Sequence, residues 1–327
     1  MFYCWLGGVV YEEQMNFMVK IFKISDKGFT EIPEIEKNCW VNISNPLMDD
    51  LDGLSKKFNI PLDFLTDSLD VDEKSRIEAE NDCTFFIIRT PVYNKEKADV
   101  PFTTLPVGIV IQQDIIVTIC FSDTAEILEL FHEKAKNISM KNKYRFILHL
   151  LQKTNYFYLK YLKEINRKTD DIETELQRAT KNVELIKLLN IEKSLVFFTT
   201  SLSGNKRIIE RLQKVFNLEL SDEDRDFLDD LIIDNRQAIE MVNIYSNILS
   251  GMMDAFASVI SNNLNIVLKY LTSVTIILMI PTLMASIYGM NINLPFQHSP
   301  HAFLITMAFS FGLSSIGVLV FLRKRWF

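Results

Sequence analysis

The sequence predicts a mixed α/β domain (α+β in the broad sense), followed by long stalk helices and two C-terminal transmembrane helices. Three observations predict it. Residues 271–287 and 302–322 form two apolar runs without one acidic or basic side chain. No proline interrupts the chain between Pro106 and Pro281, and that stretch repeats apolar residues at helical spacing. Before it, Ile-, Val- and Phe-rich segments alternate with capped helical segments, the pattern of a sheet with helices on its faces.

The 327 residues suffice for more than one domain. Composition is 48% hydrophobic and 24% charged, with the apolar excess at the C-terminus, so a large soluble part carries a small membrane part. A net charge of -7 argues against nucleic-acid binding, which usually shows a basic patch. Cys4, Cys39, Cys83 and Cys120 have no CxxC spacing and read as small core residues in a reducing compartment. Residues 1–17 are an uncertain extension. The apolar stretch from Phe2 to Leu6 lacks a charged n-region, so it does not read as a signal peptide, and Met15 and Met18 are alternative starts. The fold is expected to begin near Met18.

Residues 18–140 form the expected α/β domain. Strands are predicted over 19–24, 40–43, 84–90, 108–111 and 115–120. Asn45 is placed to cap a helix with Pro46 at its first position, running to about Phe58, and Pro61 to start another through Leu69. Asp123 would cap a third, over 124–135. Gly28, Gly53 and Gly108 are too dispersed for a phosphate loop.

Residues 141–264 form the expected helical stalk. Leu148, Leu151, Asn155, Leu159, Leu162 and Ile165 recur at spacings of 3 and 4 within a helix over 144–180. Lys181 and Asn182 break it. A second helix to Phe216 carries Ile186, Leu189, Leu195, Phe198, Leu202 and Ile209. After a connection over 217–220, Ser221 with Asp224 reads as a capping-box start. The third pattern passes Leu231, Ile232, Met241, Ile248 and Phe256 and merges with the first apolar run. As one helix, 222–288 is 67 residues, or roughly 100 Å at 1.5 Å per residue. A bilayer core takes only about 30 Å of that, so the rest stands in water and needs helical partners.

Residues 265–327 form the membrane hairpin: a helix over 265–288, a loop over 289–301, a second helix over 302–322 and a basic tail over 323–327. Arg323, Lys324 and Arg325 after the second helix, and Lys269 at the start of the first, put both termini in the cytoplasm and the loop outside. Trp326 suits an interfacial anchor. The loop contains no Asp, Glu, Lys or Arg.

Tyr288-Gly289-Met290-Asn291, set between two C-terminal apolar helices and followed by the ending Arg323-Lys324-Arg325-Trp326-Phe327, resembles the CorA family of magnesium transporters. Met252-Met253-Asp254, Asn265 and Leu268-Lys269-Tyr270-Leu271-Thr272 resemble that family's approach to its first membrane helix. The resemblance spans nearly the whole chain from Met18. It implies a funnel-shaped homopentamer in the cell (plasma or inner) membrane, with no organic cofactor. The first membrane helix of each subunit would line the pore, and Gly289, Met290 and Asn291 would form an external ring selecting hydrated Mg2+, with Co2+ and Ni2+ also accepted by relatives. The chemistry suits that role. Mg2+ dehydrates reluctantly, and a ring of neutral carbonyl dipoles from Asn291 and Gly289 would hold its waters without a fixed charge trap.

On the first membrane helix, Asn265, Leu268, Leu271, Thr275, Met279, Thr282 and Ser286 share one face at spacings of 3 or 4. Oxygen-bearing positions alternate with apolar constrictions, which suits a pore lining that gates by dewetting; a helix–helix seam would also use Ser and Thr. The resemblance further assigns Asp254 to an acidic ring in the cytosolic part of the pore. It assigns Asp67 and Asp230 to a regulatory Mg2+ site between subunits, which would favour a closed state when internal Mg2+ is high. Asp230 also lies in an acidic run that favours a helix N-terminus by itself. Many relatives carry an acidic residue shortly after Gly-Met-Asn; here Ile292-Asn293-Leu294-Pro295-Phe296-Gln297-His298 follows, so an acidic outer ring is absent from this loop.

The expected activity is channel-like Mg2+ influx with internal feedback. A Zn2+ or other transition-metal branch of the family is the near alternative, against which Met290 argues. A membrane-anchored scaffold or sensor is the alternative of another class, and the polar stripe discriminates, since a bare anchor has no use for it. His298 and His301 lack a third ligand and read as interfacial polar residues. No nucleophile–base pair or phosphate loop points to an enzyme, and His132 and His149 have no evident partners in sequence.

Overall fold

Alternating apolar side chains make the N-terminal sheet two-faced, and each face draws its own helices. The computed structural model describes residues 17–25, 28–80, 82–94, 99–112, 114–121, 143–178, 182–216, 222–290, 292, 294–295 and 299–324. Its elements are β1 (Met18–Ser25), β2 (Gly28–Glu31), β3 (Cys39–Ser44), α1 (Met48–Phe58), α2 (Leu62–Asp67), β4 (Arg76–Glu80), β5 (Cys83–Tyr93), β6 (Phe102–Ile111), β7 (Ile115–Cys120), α3 (Lys143–Arg178), α4 (Asn182–Phe216), α5 (Asp222–Tyr288) and α6 (Ala302–Arg323). The expected helix over 124–135, Ser221 and the basic tail beyond Lys324 lie outside the described residues.

The strands form a mixed sheet in the order β2-β1-β3-β7-β6-β5-β4. Only β3 and β7 run parallel, in register from Cys39 opposite Ile115 to Ser44 opposite Cys120. A parallel pair needs a long crossover, and everything from α1 to β6 supplies it. The edge strands β2 and β4 escape the sequence pattern. β4 reads Arg-Ile-Glu-Ala-Glu, the charged composition of a protected edge. β5 and β6 exceed their predicted lengths because their prolines sit where no ladder bond is required. Pro91 pairs across to Thr104, beyond the reach of β4, and Pro106 lies just past the end of β7.

On one face Val41, Ile43, Phe85, Ile87, Val117 and Ile119 pack with Leu51, Leu54 and Phe58 of α1 and Phe64 and Leu65 of α2. The Phe64 and Phe85 rings stack at 4.3 Å. Ser68, just after α2, is seated over Gly108, where a Cβ would come within 1.8 Å of its hydroxyl. On the other face Trp40 meets Phe146 of α3 at 5.3 Å, and at the far end of β6 Phe102 meets Tyr161 of α3 at 5.3 Å and Phe198 of α4 at 6.2 Å. Cys39, Cys83 and Cys120 are buried in the sheet, and none forms a disulfide among the described residues.

One local expectation is corrected. Asn45 does not cap α1: its φ is 49°, its backbone N–H donates to the Cys120 carbonyl, and the cap position belongs to Leu47. Left-handed geometry, which Asn tolerates, turns the chain off β3 before the helix begins. Asp224, expected in a capping-box start with Ser221, is buried 3.2 Å from Arg145 Nε of α3. Within the stalk, Ile186, Leu189 and Ile248 are exposed, and Leu188, Ile191 and Leu249 take the buried positions instead. Asn155, a polar member of the α3 stripe, donates to the Leu231 carbonyl of α5 at 3.4 Å and accepts from Asn235 at 3.3 Å.

The chain divides into two compact units, Met1–Ser250 and Gly251–Phe327. The first contains the sheet and the helices α1–α4 with the start of α5; the second contains the rest of α5 and all of α6.

Candidate ion pathway and regulatory carboxylates

In the second unit the apolar surface of α5 and α6 has little to cover it, and both helices are long and apolar enough to cross a membrane. Their mutual contact uses a narrow strip. Ser273 is fully buried. Ser314 donates to the Ile277 carbonyl at 3.5 Å, and Gly317 lies 3.7 Å, measured from an ideal Cβ, from Ile280 Cδ1. Small residues let the helices approach, as membrane packing favours. At about 100° per residue, Ser273, Ile277, Ile280 and Met284 lie roughly half a turn from the predicted stripe. Asn265, Leu268, Leu271, Thr275, Met279, Thr282 and Ser286 are accordingly all exposed, as is Asp254, which falls on the same face. The polar stripe is therefore not the seam between α5 and α6.

The stripe's chemistry follows from its hydrogen bonds. Thr275 donates to the Leu271 carbonyl at 2.8 Å and Thr282 to the Leu278 carbonyl at 3.2 Å. Each hydroxyl proton is spent on the helix, so each oxygen presents lone pairs outward. Such oxygens accept from water, including the strongly polarised waters of a divalent cation. Pro281 lies within α5 and removes one backbone donor there.

At the end of α5, Gly289 N–H donates to the Ala285 carbonyl at 2.9 Å. A Cβ on Gly289 would stand 3.2 Å from that same oxygen, so the final turn is tight enough to favour glycine. Tyr288 ties the following loop by donating to the Pro295 carbonyl at 3.3 Å. Met290 is exposed, whereas Asn291 and His298 lie outside the described residues. His301 occupies the cap position of α6.

Among the described residues no group of three or more His, Cys, Asp or Glu side chains is arranged to hold a metal ion. The two predicted regulatory carboxylates nonetheless have suitable chemistry. Asp230 is exposed on α5, and its charge, after burial, is a further cause of the raised pKa of Asp234 one turn on. A cation would relieve that repulsion. Asp67, at the end of α2, accepts from Arg76 Nη2 at 2.6 Å, a contact that sequence spacing did not suggest. The loop between them is clamped by a half-buried arginine, also missed. Arg89 of β5 donates to the Val71 carbonyl at 2.8 Å, the Glu73 carbonyl at 2.6 Å and the Thr104 carbonyl at 2.7 Å. Burial lowers its pKa. Asn205 and Tyr158 hold the Arg89 carbonyl at 2.8 and 3.0 Å.

A family model described as CorA-like Mg2+ transporter protein matches residues 36–324. The chain belongs to the CorA family. Among CorA proteins it is 28% identical over 322 residues to the cobalt/magnesium transport protein CorA of Methanocaldococcus jannaschii, covering 94% of this chain and 100% of that one. It is 24% identical to the magnesium transport protein CorA of Helicobacter pylori, over 97% of this chain and 99% of that one. The fold superposes on the complete CorA structure from M. jannaschii with a TM-score of 0.79 at 26% identity, covering 96% and 100% of the two chains. The α/β sheet domain, long stalk helices and C-terminal hairpin are thus the CorA architecture.

Proposed function

We propose that this CorA-family chain is a channel-like transporter of divalent cations, carrying chiefly Mg2+ into the cell, with Co2+ and Ni2+ as further substrates. The observation that carries this is the exposed stripe on α5. It lies opposite the α6 contact, combines outward oxygens with Leu268, Leu271 and Met279, and has Asp254 in line with it. An unpartnered polar face on a membrane helix is costly unless it lines water. Several copies arranged around an axis, five by analogy with the family, would close their stripes into a pore. The termini would lie in the cytoplasm, as Arg323 and Lys324 imply.

In this reading Gly289, Met290 and Asn291 form the outer ring. The neutral Asn291 carbonyl accepts from the ion's water shell, so Mg2+ enters hydrated and leaves readily. Leu268, Leu271 and Met279 form apolar constrictions that exclude water when the copies are close. Asp67 and Asp230 bind internal Mg2+ between neighbouring subunits, and occupancy favours the closed arrangement.

Flux into liposomes tests it. Thr275→Val and Thr282→Val together keep the shape of α5 but delete two outward oxygens, and are expected to cut Mg2+ influx about tenfold. Asn291→Ala is expected to abolish preference for Mg2+ over other divalent ions. Wild-type protein that carries no divalent ion would favour a scaffold instead, and undiminished selective flux in Asn291→Ala would remove the ring from that residue.

A further inference from the structure

Arg76 stands where the cation of the proposed sensor has to bind. Its Nη2 donates to Asp67 Oδ2 at 2.6 Å, its Nη1 contacts Glu73, and its Nε lies 3.1 Å from Glu78 Oε1. One guanidinium thus answers the carboxylates of Asp67, Glu73 and Glu78 and leaves two negative charges uncompensated. The guanidinium also lies 5.9 Å from the Phe85 ring centroid, the ring that stacks on Phe64 of α2.

The pair is held from both sides. α2 is fixed by the Phe64–Phe85 stack and by Ser68 over Gly108. The loop from Asp70 to Ser75 is fixed by Arg89 at two carbonyls, and by Ser75, which donates to Asn205 at 3.0 Å. Arg76 itself lies on β4, in register with β5. The Arg76 and Asp67 side chains are 27% and 31% exposed, so a hydrated ion can reach Asp67 but meets a guanidinium already in place. A surface pair with free side chains is worth little; this one is preorganised and charge-assisted.

We propose that Arg76 is a built-in competitor for the cation at Asp67, and that it sets the internal Mg2+ concentration at which the closed arrangement is favoured. The inference rests on the reading of Asp67 as a regulatory ligand. A divalent ion and a guanidinium repel each other, and both draw on the single negative charge of Asp67. Binding is therefore an exchange, and the free energy of the Arg76–Asp67 pair is subtracted from the affinity of the ion. The exchange is a soft one. When Asp67 turns to the ion, Arg76 keeps Glu73 and Glu78 and is not left unpaired. The sensor is weakened without being blocked.

The test uses the full-length protein in detergent, with MgCl2 titrated at constant ionic strength and protease protection as the readout. Wild type is expected to show a Mg2+-dependent midpoint, and Asp67→Asn to lose it. Arg76→Gln is expected to lower the midpoint about three- to tenfold, and Arg76→Lys, which keeps the charge but not the fork, to lower it by a smaller factor. A merely structural role for Arg76 predicts the opposite sign, a raised midpoint or lost response. An unmoved or raised midpoint in Arg76→Gln, beside a silent Asp67→Asn, overturns the inference alone. A wild-type midpoint retained in Asp67→Asn overturns the reading of Asp67 and the inference with it. If Arg76→Gln does not fold, Arg76→Lys decides: an unmoved midpoint there counts against competition.

Discussion

The two units bury opposite kinds of side chain. In the sheet unit Phe85 and Ile87 are fully buried, and charged residues hold the rim. In the C-terminal unit Met279, Leu283, Phe303 and Phe309 are 64%, 62%, 74% and 62% exposed, while Ser273, Ser310 and Ser314 are the buried residues. Residue types are shared between the two; the surroundings they imply are not. In water, exposed phenylalanine on this scale would drive collapse. Hydrocarbon removes that drive, and helices then meet through small polar residues; the Ser273 and Ser314 hydroxyls bond to backbone. The inversion is itself the evidence that the second unit is built for lipid.

Paired truncations probe the comparison most strongly. Phe85→Ala is expected to destabilise the sheet unit by about 3–5 kcal/mol, read as a large fall in Tm of the full chain in detergent. Phe309→Ala removes the same ring from α6 and is expected to stay within about 0.5 kcal/mol, because lipid or detergent replaces the lost contacts. Equal losses at the two positions would end the distinction. Gly108→Ala is the next largest effect. Its Cβ would meet Ser68 Oγ at 1.8 Å and Ser68 Cβ at 2.6 Å, so α2 must shift, at about 1–3 kcal/mol. Because α2 carries Asp67, the same variant is expected to blunt the Mg2+ response, whereas an added methyl at Gly317 meets only ordinary contacts and leaves both readouts unchanged.

The smallest effect is a pH dependence confined to the first unit. His149 of α3 is half-buried against the Phe227 ring of α5 at 4.5 Å, with Arg145 and Asp224 nearby. Burial, then the Arg145 charge, lowers its pKa below the ordinary 6.5. The stability that comes from keeping it neutral is therefore present above 6.5 and is lost as pH falls through the lowered value. His149→Leu is expected to flatten the fall in Tm between about pH 7.5 and pH 5. An unchanged acid limb would place the sensitivity elsewhere.

Much of this was legible in the residues, and the failures have physical causes. The 67-residue α5 was predicted to the residue because nothing in 222–280 breaks a helix and Gly289 ends it. The stripe was legible because helical spacing is rigid over a few turns. Its freedom from the α6 seam was not, since that depends on which face α6 chooses. The small residues Ser310, Ser314 and Gly317, at spacings of 4 and 3, were the available signal. β2 and β4 were missed because they are only four and five residues long, and Ile77 is the one large apolar side chain in β4. Asn45 was misassigned because an Asn before a helix can also serve a left-handed turn, and only the Cys120 carbonyl opposite decides between them.

By itself the sequence determined which stretches are apolar enough to cross a membrane, how long α5 is, and which of its faces carries oxygen. Those properties follow from composition and period, which are local. The tertiary structure alone decided that the polar face of α5 is left open by α6, that Arg89 clamps the loop after α2, and that Asp67 already holds a cation of its own in Arg76. Each of these depends on side chains brought together by packing, where direction and distance, not spacing along the chain, set the energy.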